Sequence, residues 1–272
     1  MSKLLKFEYR RLFRQKTFII FMAVSAALVF LSLGSIKLIE LAMSSVDMQI
    51  YSLFGIKYSG ANALRDASSN GSVSLIVAVV TSIFVCSEYS RGTLKTVTAT
   101  GFSRCKIFTA EFVAALTSAF LIFAAATASA FIFGSLFWEV GKLEAETVKA
   151  ALLQLLLTLS LTAVLFTLSK TIKKTGGAIA LGIFAPSFLS LLLTVTDSVI
   201  DNDRFKLAHY WISGSLSEVQ ATSPSDMNIF DILNGSSNGL TSEIAIRAVA
   251  VAVVYLVLAY LLGNLFFRRQ EI

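Results

Sequence analysis

The chain has 272 residues, 56% of them apolar and 15% charged, with 23 Lys and Arg against 17 Asp and Glu. Soluble domains average about 45–50% apolar and about 25% charged, and the mean hydropathy here is +0.75. A water-soluble globule is therefore excluded, because it cannot hide several apolar runs of about 20 residues, the length that crosses a hydrocarbon slab of about 30 Å. The net charge of +6 would suggest nucleic acid in a soluble protein. In a membrane protein its distribution carries the information, and no nucleic-acid partner is expected.

The first segment, 2–16, carries Lys3, Lys6, Arg10, Arg11, Arg14 and Lys16. Leu5, Tyr9, Leu12 and Lys16 share one helical stripe, edged by Leu4 and Phe13, and the basic residues occupy much of the remainder. The pattern predicts a basic amphipathic helix lying in the membrane interface. It either anchors on anionic lipid and sets orientation, or also braces a cytoplasmic partner. The apolar run 17–39 is too long for a signal-peptide core and lacks a small-residue cleavage site before the next polar stretch, so it is expected to remain as the first span.

Further apolar runs cover 72–87, 107–138, 147–169, 176–199 and 243–267, which makes six spans in all. The second is short and is expected either to begin in Ser68-Ser69-Asn70 or to cross with local thinning, whereas the third exceeds the slab and must tilt or project. Pro186 in the fifth removes a backbone donor and predicts a kink. Small and hydroxylated residues in the spans, such as Ala124–Ala126, Thr127, Thr158, Ser160 and Thr162, suit close helix packing.

Six basic residues precede the first span, and four lie in 88–106, three in 170–175 (Lys170, Lys173, Lys174) and two in the tail (Arg268, Arg269). With six spans all fifteen fall on one side, so the positive-inside rule predicts a multi-pass cell-membrane protein with both termini cytoplasmic. The segments 40–71 and 200–242 are then extracellular loops, with apolar pieces at 50–54 and Tyr210-Trp211-Ile212. Short interfacial helices are expected there, with Tyr210 and Trp211 at headgroup depth.

Chemistry is sparse. Cys86 and Cys105 form no CxxC pair and fall on the reduced side, where packing or surface roles suffice. His209 is the only histidine, so a His-based zinc site is excluded and no metal is expected. It is read as an interfacial residue beside Tyr210 and Trp211. There is no GxSxG elbow and no GxxxxGK[ST] phosphate loop. Glu111 is read as a snorkelling or capping acid at the cytoplasmic end of the third span. With few charges in any span, an ion relay lacks its usual carboxylates.

The segment between spans two and three is the most patterned. It reads Glu88-Tyr89-Ser90-Arg91-Gly92-Thr93-Leu94-Lys95, then Thr100-Gly101-Phe102-Ser103-Arg104. Gly92 permits a sharp turn, Thr93 suits the cap of a short helix over 94–100, Gly101 ends it and Ser103 starts the next. On physics alone this is either a short helix parallel to the membrane, able to tilt both spans, or a solvated loop.

Together with the basic Lys6-Phe7-Glu8-Tyr9-Arg10-Arg11-Leu12 start, this segment resembles the permeases of type-2 ATP-binding-cassette transporters. The specific part of the likeness is 88–95 plus 103–104; length, span count and terminus placement add topology. The resemblance implies an all-α membrane fold with six transmembrane helices, an N-terminal elbow helix over 2–16 and a cytoplasmic coupling helix within 88–104. It implies that Glu88, Tyr89, Arg91, Gly92, Thr93, Leu94 and Lys95 form or flank the contact with a separate ATPase subunit. ATP and magnesium would reside on that partner, with no cofactor or catalytic site in this chain. A second permease copy, identical or homologous, would complete the assembly. The family often carries a basic residue early in the third span, where this chain has Glu111. Bacteriocin-immunity and peptide-resistance permeases of this type further imply an antimicrobial peptide or lantibiotic substrate. Two other classes compete: a non-transporting membrane scaffold or sensor, and an ion-coupled carrier.

Overall fold

The computed structural model describes residues 2–43, 59–69, 71–91, 101–172, 174–200, 206–221 and 240–269. Its elements are α1 (Ser2–Arg14), α2 (Lys16–Met43), α3 (Gly60–Ser69), α4 (Gly71–Arg91), α5 (Arg104–Phe137), α6 (Ala145–Ile172), α7 (Thr175–Ile200), a 3-10 turn (Leu207–Tyr210), α8 (Ile212–Ala221) and α9 (Ser242–Arg269). The fold is that of an all-α membrane protein. Six of these helices, α2, α4, α5, α6, α7 and α9, are long and apolar enough to span a bilayer. Each begins and ends within a few residues of the apolar run that signalled it. The only strand-like pairing among the described residues is an isolated bridge between Ser59 and Glu139.

The six long helices divide by burial. α4 and α6 bury 61% and 50% of their most apolar stretch, whereas α2, α7 and α9 bury 17%, 17% and 22%. The outer helices expose Leu31, Leu38, Phe184, Phe188, Val254 and Leu265. In lipid such faces cost nothing, because acyl chains are as apolar as leucine; packing between helices comes instead from close contact of small residues. At the bundle centre, Phe108, Phe112, Phe166, Phe267 and Ile122 form the main core, with Phe108 and Phe166 edge-to-face at 5.4 Å.

Of the segments expected to carry short interfacial helices, 50–54 lies outside the described residues, and the two shorter helices that are described pack against the long ones. α3 packs on α5, with Ala61, Ala63 and Ala67 buried; Gly134 of α5 meets Ala63 so closely that any side chain there would clash. α8 wedges between α6 and α9 through Ile212, Leu216 and Val219, and the buried Gln154 amide donates to the Leu216 carbonyl at 3.2 Å. A helix whose backbone bonds are internal can enter the bundle if protein covers it. Alanine and serine faces make that approach possible.

Trp211 is held by contacts within the protein. Its indole N–H donates to the Pro186 carbonyl at 3.1 Å and its ring meets Tyr255 edge-on at 5.5 Å, which ties α7, α8 and α9 together. α7 runs as one helix through Pro186. Tyr210 beside it is exposed.

Candidate functional site: a buried charge cluster at one end of the bundle

α1 is helical and amphipathic, but its inward face is not the one the stripe suggests. Leu4, Glu8 and Leu12, spaced by four, are the buried positions, while Phe13 is exposed. Lys3, Lys6, Arg10, Arg14 and Lys16 remain on the outside. Arg11 departs from them: its side chain is only 13% exposed and turns toward the bundle. Gln15 alone separates α1 from α2, and its N–H bonds back to the Arg11 carbonyl at 3.1 Å.

What Arg11 reaches is Glu88. Glu88 lies four residues from the end of α4 and is 3% exposed. Arg11 Nη1 donates to Glu88 Oε1 and also pairs with Glu8 Oε2 at 2.9 Å, while its guanidinium lies 4.2 Å over the Phe84 ring. The other Glu88 oxygen accepts from Lys170 Nζ at 2.7 Å, and Lys170 in turn pairs with Glu111 Oε2. One ammonium from α6 therefore bridges a carboxylate of α4 and a carboxylate of α5.

Aromatic rings enclose the cations. Lys170 Nζ stands 5.3 Å from the centroids of both Tyr89 and Phe267 and 5.7 Å from that of Phe166, and such ring faces favour a cation. The Tyr89 hydroxyl donates to the Lys170 carbonyl at 3.3 Å, satisfying an acceptor in the last turn of α6 that has no helical donor. Further bonds hold α1 in place: Tyr9 Oη to Thr117 Oγ1 at 3.1 Å, and Gln15 Nε2 to Ser87 Oγ at 3.3 Å.

Glu8, Glu88 and Glu111 bring carboxylate oxygens within 4.8 Å of one another, close enough to hold a divalent cation. Each, however, already faces Arg11 or Lys170, so counter-charge comes from the protein. Three carboxylates against two cations leave one negative charge in excess when all are ionised. On α1, burial pushes the Glu8 carboxyl up to about 7, opposed by neighbouring Arg11 and helped by Glu88. Burial works against the Arg11 cation, but Glu88 and Glu8 outweigh it and hold the guanidinium above its usual value.

Several sequence expectations change here. Glu111 neither snorkels nor caps; it is 2% exposed and paired across to α6. Lys170 is no loop residue but part of α6, 3% exposed. Glu88 and Glu111 stand near the ends of their helices, where the sequence places them. Of the expected coupling residues, Glu88 and Tyr89 belong to the cluster and Arg91 is the last residue of α4. Gly92, Thr93, Leu94 and Lys95, with the short helix expected over 94–100, lie outside the described residues. Gly101 has φ 83°, a conformation that favours glycine. Ser103 stands at the N-cap of α5 with extended backbone, its carbonyl accepting from the Lys106 N–H at 2.9 Å.

Glu8 and Lys170 escaped sequence reasoning. Glu8 had a signal: it sits between Leu4 and Leu12 at spacing four and three residues from Arg11. Lys170 had none, being one of three lysines after an apolar run.

A second, half-exposed group lies near the α8–α9 packing. Glu218 pairs with Arg247 and lies 2.9 Å from His209 Nδ1, so His209 faces α8 rather than open interface.

Among known proteins, a family described as "Protein of unknown function (DUF2705)" matches residues 19–272. That stretch contains Glu88, Glu111 and Lys170, while Glu8 and Arg11 precede it. No curated protein matches the chain.

Proposed function

The chain belongs to the DUF2705 family, and we propose that it is the membrane subunit of an ATP-binding-cassette exporter, driven by separate ATPase subunits that dock at the segment between α4 and α5. One observation carries the reading. Glu88 precedes that segment and Glu111 follows it, and both are clamped to Lys170 of α6. Force applied to such a segment reaches the bundle only if its roots are stiff, and a buried, aromatic-walled ion bridge is a stiff root. Arg11 adds α1 to the same joint.

In this reading the termini are cytoplasmic, the protein resides in the cell membrane, and a second permease, identical or homologous, pairs with it. The substrate is hydrophobic or amphipathic; assigning it as an antimicrobial peptide or lantibiotic rests on the likeness to type-2 permeases, whose specific part is 88–95 plus 103–104. ATP and magnesium belong to the partner, and this chain carries no catalytic group.

Co-expression with candidate ATPases tests it. The ATPase should copurify in detergent with the native chain, and Gly92→Trp, Thr93→Glu and Leu94→Glu should abolish both copurification and peptide resistance. Retained copurification and resistance in those variants would defeat the docking assignment. A well-folded chain that recruits no ATPase would favour a scaffold or sensor.

The buried carboxylates give the ion-coupled carrier a specific observation in its favour. Their placement argues against it. Glu8 lies on α1, outside the six long helices, and Glu88 and Glu111 stand near helix ends, each answered by a cation. Export that survives a protonophore but stops when ATP is depleted separates the two.

A further inference from the structure

The corner where α1 meets α2 encloses a cleft of about 460 Å³ that holds Arg10, Arg11, Arg14 and Lys16 in its lining. We propose that this cleft binds a phosphate group. The proposal is independent of ATP-driven transport.

Glu88 is the one carboxylate in the lining, and its oxygens already accept from Arg11 and Lys170. Among the described residues, Arg10, Arg14 and Lys16 make no ion pair. Arg10 and Arg14 are four apart on one helix, where like charges repel, so the cleft concentrates positive charge on Arg10, Arg14 and Lys16 that no described acidic group pairs with. Arg11 Nε and Nη2 are buried without a hydrogen-bond acceptor. Guanidinium pairs match phosphate oxygens two at a time.

Backbone geometry adds to the charge. Lys16 and Thr17 open the 28-residue α2 and also line the cleft, so the positive dipole end of a long helix borders the same space. Phe7 forms an apolar wall, and Ile19 and Ile20 are exposed on the first turns of α2. A phosphate attached to acyl chains would therefore find cations for its head and apolar surface for its tails. A soluble phosphorylated molecule would use the cations alone.

The test uses the full chain purified in detergent, titrated with phosphatidylglycerol, phosphatidylcholine or inorganic phosphate, and followed by thermal unfolding and by lipid retained in native mass spectra. Phosphatidylglycerol should stabilise the native protein and survive delipidation. The triple variant Arg10→Gln/Arg14→Gln/Lys16→Gln should bind it at least about tenfold more weakly. Lys142→Gln/Lys149→Gln, two exposed charges elsewhere, should change nothing. If inorganic phosphate alone stabilises the native chain and displaces lipid, the site holds but its ligand is soluble. Equal binding by the triple variant and the native chain, or by the native chain for no phosphate-bearing probe, overturns the proposal. Should the triple variant fold poorly, Arg14→Gln alone decides, with about a threefold loss expected and an unchanged affinity against the proposal.

Discussion

Lys170 is the residue on which the cluster depends. Removing one partner of a buried ion pair leaves an unpaired charge, and the penalty is about 3–5 kcal/mol. Lys170→Met strands Glu88 and Glu111 together, and should lower stability by about that much in denaturant unfolding from detergent. Glu8 predicts a pH dependence with a definite sign. Its carboxyl is raised from 4.5 to about 7 in the folded chain, so between those values the folded state holds more proton than the unfolded one. Stability from this group is complete below about 4.5 and is lost as the pH rises through about 7. Thermal unfolding from pH 5 to pH 8 should show that decline, and Glu8→Gln should flatten it.

Among the elements, α1 and α3 make the sharpest claims. α1 is tied to α4 by Arg11 and Glu88 rather than by lipid contact alone. A double-mutant cycle on Arg11→Ala and Glu88→Gln should give a coupling of about 1–3 kcal/mol; values near zero would return α1 to the interface. α3 depends on the close approach at Gly134. Gly134→Val forces α3 and α5 apart and should cost about 1–3 kcal/mol, with hydrogen exchange in 60–69 rising before exchange elsewhere. Both helices were visible in the sequence as elements. Their seats were not, because an amphipathic face states that something apolar covers it and not whether lipid or protein does.

For the whole molecule, the proposed topology takes the six long helices among the described residues as spans, which puts both chain ends on one side. Arg104 Nη1 donates to the Arg268 carbonyl at 3.3 Å, placing the end of α9 beside the start of α5, the end that also holds α1 and the charge cluster. In a background where both cysteines are replaced, Lys142→Cys should react with an impermeant maleimide in intact cells and Lys3→Cys should not. The reverse pattern would invert the topology and remove the ATPase from reach of 88–104.

Composition and hydropathy alone determined that this chain is a helical membrane protein with six long helices, because the bilayer demands an apolar run of fixed length wherever the backbone crosses. Local chemistry likewise marked Glu88, Tyr89, Gly101 and Ser103 as the borders of a distinct segment. Only the tertiary structure decided that Lys170 closes that segment, that Glu8 and Arg11 turn inward while their basic neighbours stay out, and that α3 and α8 are packed into the bundle. The two bonds to Glu88 join residues 77 and 82 positions apart, and the bond that seats α8 on α6 joins residues 62 apart. A single sequence records each partner of such a pair but not their meeting, since the energy that selects it arises only when burial removes water from both charges at once.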